Sequence, residues 1–256
     1  MMILTMIIEI LAAIGAGVLA GNGAVYGFNH IPAEWFTPNG RDPAEDVMSR
    51  DRQRIPSYPW KYILTASFIV VYIFMAVRGW KYAIPAAIAI WLLFELGVSC
   101  GKYRVTPVQL TVLLAVTGFG FIPYHSTWRM IIWGALIGGG AMLIVWLIIK
   151  FAARRDTTTA VWDRVSGFTA GAGSKPGRHD PITDPNDIAL CASIGMILGP
   201  YGTAAVMIAG VFVSLIVSAG FRISKKTMKG DMQPLGTYIC AAAIVYIVLH
   251  IRTFGF

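Results

Sequence analysis

The chain has 256 residues, 56% of them hydrophobic and only 13% charged, and Lys plus Arg outnumber Asp plus Glu by 21 to 13. Its mean hydropathy is +0.65, and the charges fall in a few clusters between long uncharged runs. This composition excludes a soluble globular domain and points to an all-α polytopic membrane protein, a single membrane domain over residues 1–256.

About eight transmembrane helices are expected in this bundle. The first, 2–28, carries Glu9 and has no basic residue before it. It therefore lacks the charged start of a cleaved signal, although Val18-Leu19-Ala20-Gly21 could pass for a cleavage site, and it is read as a retained helix. A loop over 29–60 follows. Spans at 61–78 and 82–99 come next, the second holding Glu95 and ending at Cys100. Further apolar runs cover 107–122 and 127–151. The loop 151–186 ends in a Gly/Pro-rich stretch that brings Asp180, Asp184 and Asp187 to the membrane surface. One continuous apolar run then holds two spans, 187–200 and 203–221, split at Gly199-Pro200-Tyr201-Gly202, where Pro removes a backbone donor and Gly permits a reversal. The last span is 235–251. Gly17 with Gly21, Gly134 with Gly138, and Gly195 with Gly199 have the four-residue spacing that lets helices approach closely.

Orientation follows from the basic residues. Seventeen of them lie after spans one, three, five and seven, and four on the opposite side. These odd loops are therefore expected in the cytoplasm, with both termini outside an inner (cytoplasmic) membrane. The sequence pI of about 9.5 then reflects topology and attraction to the lipid bilayer, with no nucleic acid partner.

Asp187 is the last charge before a long apolar run. An acid at a membrane mouth is a functional candidate, and the alternative is an ordinary helix cap. The spacing of Asp180, Asp184 and Asp187 is not that of a calcium loop and lacks its closing Glu. The four histidines are dispersed, and three isolated cysteines form neither a disulfide framework nor a zinc site. No metal is expected. No Gly-rich element follows a predicted strand, so no cofactor is expected either.

Asp187-Ile188-Ala189-Leu190, with Gly195 and Gly199 eight and twelve positions after the Asp, resembles the second catalytic motif of the type IV prepilin leader peptidases, which are intramembrane aspartic proteases. Gly21 in register with His30-Ile31-Pro32, and Pro234-Leu235-Gly236-Thr237-Tyr238 entering the last span, are similar to two further segments of that family. The resemblance implies eight spans and an active site at the cytoplasmic face. It also has departures. Asp184-Pro185-Asn186 stands where the family has Gly-x-Gly, residues 29–60 hold none of the Cys-x-x-Cys pairs many members carry, and the first catalytic Asp, seven residues before a Pro, corresponds to Cys100 before Pro107.

That last departure bears on chemistry. An aspartic protease needs two carboxylates sharing a proton, one to activate water and one to donate to the scissile carbonyl. The candidates to stand in for the missing acid are Glu95, about one and a half turns deeper in the same helix, and Asp184. Glu95 is favoured because an acid inside the membrane tends to stay protonated and can donate; its alternative is a neutral Glu bonded within the bundle. Cys100 itself could act as a thiol nucleophile, with Lys102 and Arg104 as positive neighbours, or be a small core residue. The expected function is cleavage of leader peptides from pilin-like membrane substrates. The alternative is a non-catalytic homologue that binds pilin-like helices or an assembly protein. A small-solute transporter ranks last, because the spans hold few ionisable groups beyond Glu9 and Glu95 and no convincing duplicated pair of broken helices.

Overall fold

The computed structural model describes residues 2–36, 47, 53–155, 185–223 and 235–250. Asp180, Asp184, His179, Pro234 and most of the two long loops lie outside these residues. Every regular element described is helical: α1 (Met2–His30), α2 (Ser57–Tyr103), α3 (Val108–Phe119), α4 (Arg129–Arg155), α5 (Asn186–Ile223) and α6 (Leu235–His250), with short 3₁₀ turns at Ala33–Phe36 and Ile122–Tyr124.

Two of these helices fold back on themselves. The Tyr72 hydroxyl donates to the carbonyl of Ala87 at 2.9 Å, and the Phe68 and Phe94 rings lie 5.7 Å apart. In a straight helix those pairs would be separated by roughly 22 and 39 Å, so α2 is a hairpin that turns between Arg78 and Ala83. In α5, a Cβ on Gly138 would touch both the carbonyl of Cys191 and Cγ2 of Thr203, which a straight helix would hold about 18 Å apart. The reversal is at Gly199, with φ 70° and ψ −178°, followed by Pro200. That backbone region is open essentially only to glycine. The expected split at Gly199-Pro200 is thus present as a turn.

Five segments are long and apolar enough to cross a membrane: Leu4–His30, Ser57–Arg78, Ala83–Tyr103, Arg129–Ile148 and Asn186–Gly220, the last containing the reversal. Val108–Phe119 and Leu235–His250 are shorter, about 18 and 24 Å long against a hydrocarbon core of roughly 30 Å. The expected multi-pass helical bundle is therefore present, with five segments among the described residues that meet this length, against about eight expected. Leu19, Val70, Ile144, Ile208 and Phe212 point outward, each more than half exposed. On a water-facing surface such an apolar belt would drive association, whereas in lipid it is ordinary.

Small residues set the packing. A Cβ on Gly134 or on Gly195 would run into the backbone of the other, and one on Gly138 into the Cys191 carbonyl. Helix α4 and the first arm of α5 therefore touch backbone to backbone. Gly17 and Gly21 of α1 lie in the same way against Ile69 and Thr65 of α2. The glycine spacing thus marks helix approach, except at Gly199, whose role is the turn.

Two clamps hold the ends of the bundle. At one end, Asn29 of α1 donates to the Ile55 carbonyl at 3.0 Å and accepts from the Ile55 N–H at 2.8 Å. The buried Arg54 guanidinium donates to the Phe28 and Ile31 carbonyls at the C-terminus of α1 and lies over the Phe36 ring. A cation on otherwise unsatisfied terminal carbonyls is favoured by both hydrogen bonding and the helix dipole. Arg54→Ala is expected to lower stability by about 2–3 kcal/mol, read as a lower Tm in detergent, with Arg54→Lys recovering only part because an ammonium lacks the planar face that the guanidinium lays over the Phe36 ring.

At the other end His125, in the linker between α3 and α4, donates to the Ile197 carbonyl at 3.1 Å, two residues before the Gly199 reversal. Burial lowers its pKa from the ordinary 6.5, against the opposing pull of hydrogen bonds to the Ile197 and Met196 backbone. A histidine held neutral in the folded state contributes stability that is present above pH 6.5 and lost as the unfolded chain takes up the proton first. Stability should accordingly fall between pH 7.5 and 5.5, and His125→Gln should flatten that dependence in thermal melts taken across this range.

Candidate functional site

The turn between α2 and α3 builds the site. Helix α2 stops at Arg104, which adopts a left-handed conformation (φ 56°, ψ 31°) and returns its N–H to the Cys100 carbonyl. The Ser99 hydroxyl then donates to the Val105 carbonyl at 2.8 Å, and Pro107 opens α3. This tight reversal lays Thr106 back over Cys100. The Cys100 sulfur lies 3.2 Å from the Thr106 hydroxyl oxygen, and that hydroxyl donates to Oδ1 of Asp187 at 2.5 Å. One hydroxyl thus bridges thiol and carboxylate, and their separation can be no more than the sum of those two contacts.

Asp187 sits in the first turn of α5, where the helix dipole favours a carboxylate. Its neighbour Asn186 donates to the Thr106 carbonyl at 3.2 Å, which holds the start of α5 on the same turn. Helix α6 forms the remaining wall. A Cβ at Gly236 would meet the Cys100 sulfur at 3.1 Å and Asp187 Oδ1 at 3.5 Å, so glycine there lets the α6 backbone pack closely over the pair. Thr237, one residue on, donates to the Gly97 carbonyl at 3.2 Å. Cys100, Thr106 and Asp187 are all buried, with 2%, 2% and 6% exposure. The site is closed in this conformation.

The four candidate residues therefore separate. Cys100 and Asp187, 87 positions apart in the sequence, meet through Thr106. Glu95 is not directed toward them. It lies five residues before Cys100 on a regular helix, about 140° round the axis, and its carboxylate faces α1, with Oε1 3.9 Å from where a Cβ on Gly27 would be. Its two oxygens have no hydrogen-bond partner among the described residues. The reading of Glu95 as the replacement acid is thus not supported by its direction, because helical phase turns it to the opposite face. Asp184 lies outside the described residues.

The thiol reading is likewise weakened by geometry. Lys102 donates its ammonium to the Arg54 carbonyl at 2.6 Å, which directs that charge to the α1–α2 junction. The contacts of the Cys100 sulfur include the Thr106 hydroxyl and, beyond it, the Asp187 carboxylate, and a nearby carboxylate opposes thiolate formation. All three cysteines are buried and none forms a disulfide. No group of three or more His, Cys, Asp or Glu side chains among the described residues could hold a metal ion. His30 lies at the same end of the bundle as Asp187, while His125 and His250 lie at the other.

Thr106 and Gly236 were not singled out from the sequence as site residues. The signal for Thr106 was available in its place six residues after Cys100 and immediately before a helix-opening proline. Comparison with protein families, characterised proteins and solved structures finds no match to the chain.

Proposed function

We propose that this is a membrane protein of the prepilin leader peptidase type, built to engage a pilin-like membrane helix at the Cys100–Thr106–Asp187 site, and that the wild-type chain binds without cleaving. The observation that carries this reading is the meeting of Cys100 and Asp187. These are the two positions that the family resemblance assigns to a catalytic pair, and they converge although nothing in local sequence joins them. The same geometry favours binding over cleavage. The position opposite Asp187 holds a thiol, Glu95 faces α1, and one carboxylate cannot both activate water and protonate the carbonyl.

In this reading the Asp187 end of the bundle faces the cytoplasm of an inner-membrane protein. Arg54, Lys61, Lys102 and Arg104 gather at that end and Arg78 and Arg129 at the other, in agreement with the expected charge bias. The N-terminus is then extracytoplasmic.

The test is incubation of the purified protein in detergent with a pilin-like precursor, followed by mass spectrometry of the product, with Asp187→Ala and Glu95→Gln alongside. The expected result is a precursor that stays intact and co-purifies with wild type but not with Asp187→Ala. Cleavage that both substitutions abolish would restore the active-peptidase reading with Glu95 as partner. Cleavage that survives Asp187→Ala would remove any aspartic role.

A further inference from the structure

A groove runs along α1 between the two arms of the α2 hairpin. It encloses about 570 Å³ and is lined by small and apolar groups, among them Ala12, Ala16, Met75, Ala87 and Trp91. A second cavity of about 710 Å³ continues from it at Leu19 and Gly23, which line both, and its wall is polar: Asn22, Asn29, His30, Gln53, Ser57 and Lys61. No acidic side chain lines either one, and Lys61 brings a basic group to the second.

We propose that this composite groove is a binding site for an anionic phospholipid, with one acyl chain along α1 and the phosphate at the Lys61 end. The dimensions fit. Ala12 to Gly23 is about 16 Å of helix, against roughly 15 Å for the hydrocarbon depth of a single leaflet. The wall turns polar where the hydrocarbon would end. A basic pocket between membrane helices at that level is chemistry suited to a phosphate head group. The volume is that of a small-molecule site, and its exposed lining residues Leu19, Ile84 and Ile88 are apolar. This site is separate from Asp187 and stands whether or not the peptidase-type reading does.

The probe is a nanodisc of equal parts phosphatidylglycerol and phosphatidylcholine, from which the protein is extracted and examined by native mass spectrometry. Wild type is expected to retain one phosphatidylglycerol through washing. Ala16→Trp fills the groove, and displacing as few as two methylenes should cut retention about tenfold. Val70→Trp, at an outward position outside the groove, should leave it unchanged. Lys61→Gln, at an exposed position, should reduce the preference for phosphatidylglycerol about fivefold. Equal retention of both lipids by wild type, or full retention by Ala16→Trp, would overturn the proposal. Unchanged lipid retention in Ala16→Trp together with lost binding of a pilin-like precursor would assign the groove to a helix instead, and would equally overturn it.

Discussion

Cys100→Asp is expected to convert the protein into a protease acting on a pilin-like precursor. The substitution places a carboxyl group at the position that now holds a sulfur 3.2 Å from the Thr106 hydroxyl, which also donates to Asp187 Oδ1. Two acids held this close share a proton because both cannot ionise readily, and the pair then contains the base and the donor that one Asp lacks. Thr106 can turn its hydroxyl toward either acid, or yield its place to water. General acid–base assistance contributes about 10² to 10⁴-fold, so the Cys100→Asp rate should exceed that of Cys100→Asp/Asp187→Asn by at least about a hundredfold. Cys100→Ser, similar in size but without a carboxyl, should stay inactive. Identical precursor processing by the single and double variants would show that no dyad had formed.

Gly195→Leu is expected to be the most damaging single change to the fold. At this position no flexible side chain stands in the way, because a Cβ on Gly195 would collide with the Gly134 backbone and the Ala135 nitrogen. The two helices would have to separate, which also loosens the start of α5 that carries Asp187. Overpacking commonly costs 1–3 kcal/mol, and backbone against backbone lies at the upper end, so a loss of about 3 kcal/mol or more is expected. It should appear as a sharp drop in Tm in detergent and in yield from membranes. Gly140 lies on the same helix as Gly134, with nothing within 4 Å of an added Cβ. Gly140→Ala should therefore leave stability unchanged or raise it by a few tenths of a kcal/mol through helix propensity.

The membrane class and most helix positions were legible because long apolar runs and their breakers are local signals. Gly199-Pro200 is the clearest case, since the turn needs a glycine backbone and Pro then stops the preceding hydrogen-bond ladder. The arms of the α2 hairpin are legible in sequence as the spans 61–78 and 82–99, while the backbone stays helical through the turn between them. Crossing length was harder to read, because α3 is apolar but stops short of the full hydrocarbon thickness.

Within the site, the meeting of Cys100 and Asp187 could not be read from periodicity, which carries no information across 87 residues. Only the resemblance of their spacing to a family motif suggested it. Thr106 was missed because its position depends on the left-handed turn at Arg104, a conformation sequence pattern does not announce for an arginine. The direction of Glu95 was legible in principle, since five residues of helix already place it away from Cys100. The burial of Arg54 was not, because charged residues beside a membrane helix are ordinarily read as solvent-facing topology signals.

The most direct measurement is photo-cross-linking of the unmodified protein to a pilin-like precursor that carries a photoreactive residue immediately before its leader cleavage point, with the labelled peptides mapped by mass spectrometry. Labels on residues 100–106, on Asn186 or Asp187, or on residues 235–237 are the expected result, and Asp187→Ala should diminish them. Labels confined to other parts of the bundle, or no cross-link at all to any pilin-like precursor, would contradict a site formed by Cys100, Thr106 and Asp187 for such a helix.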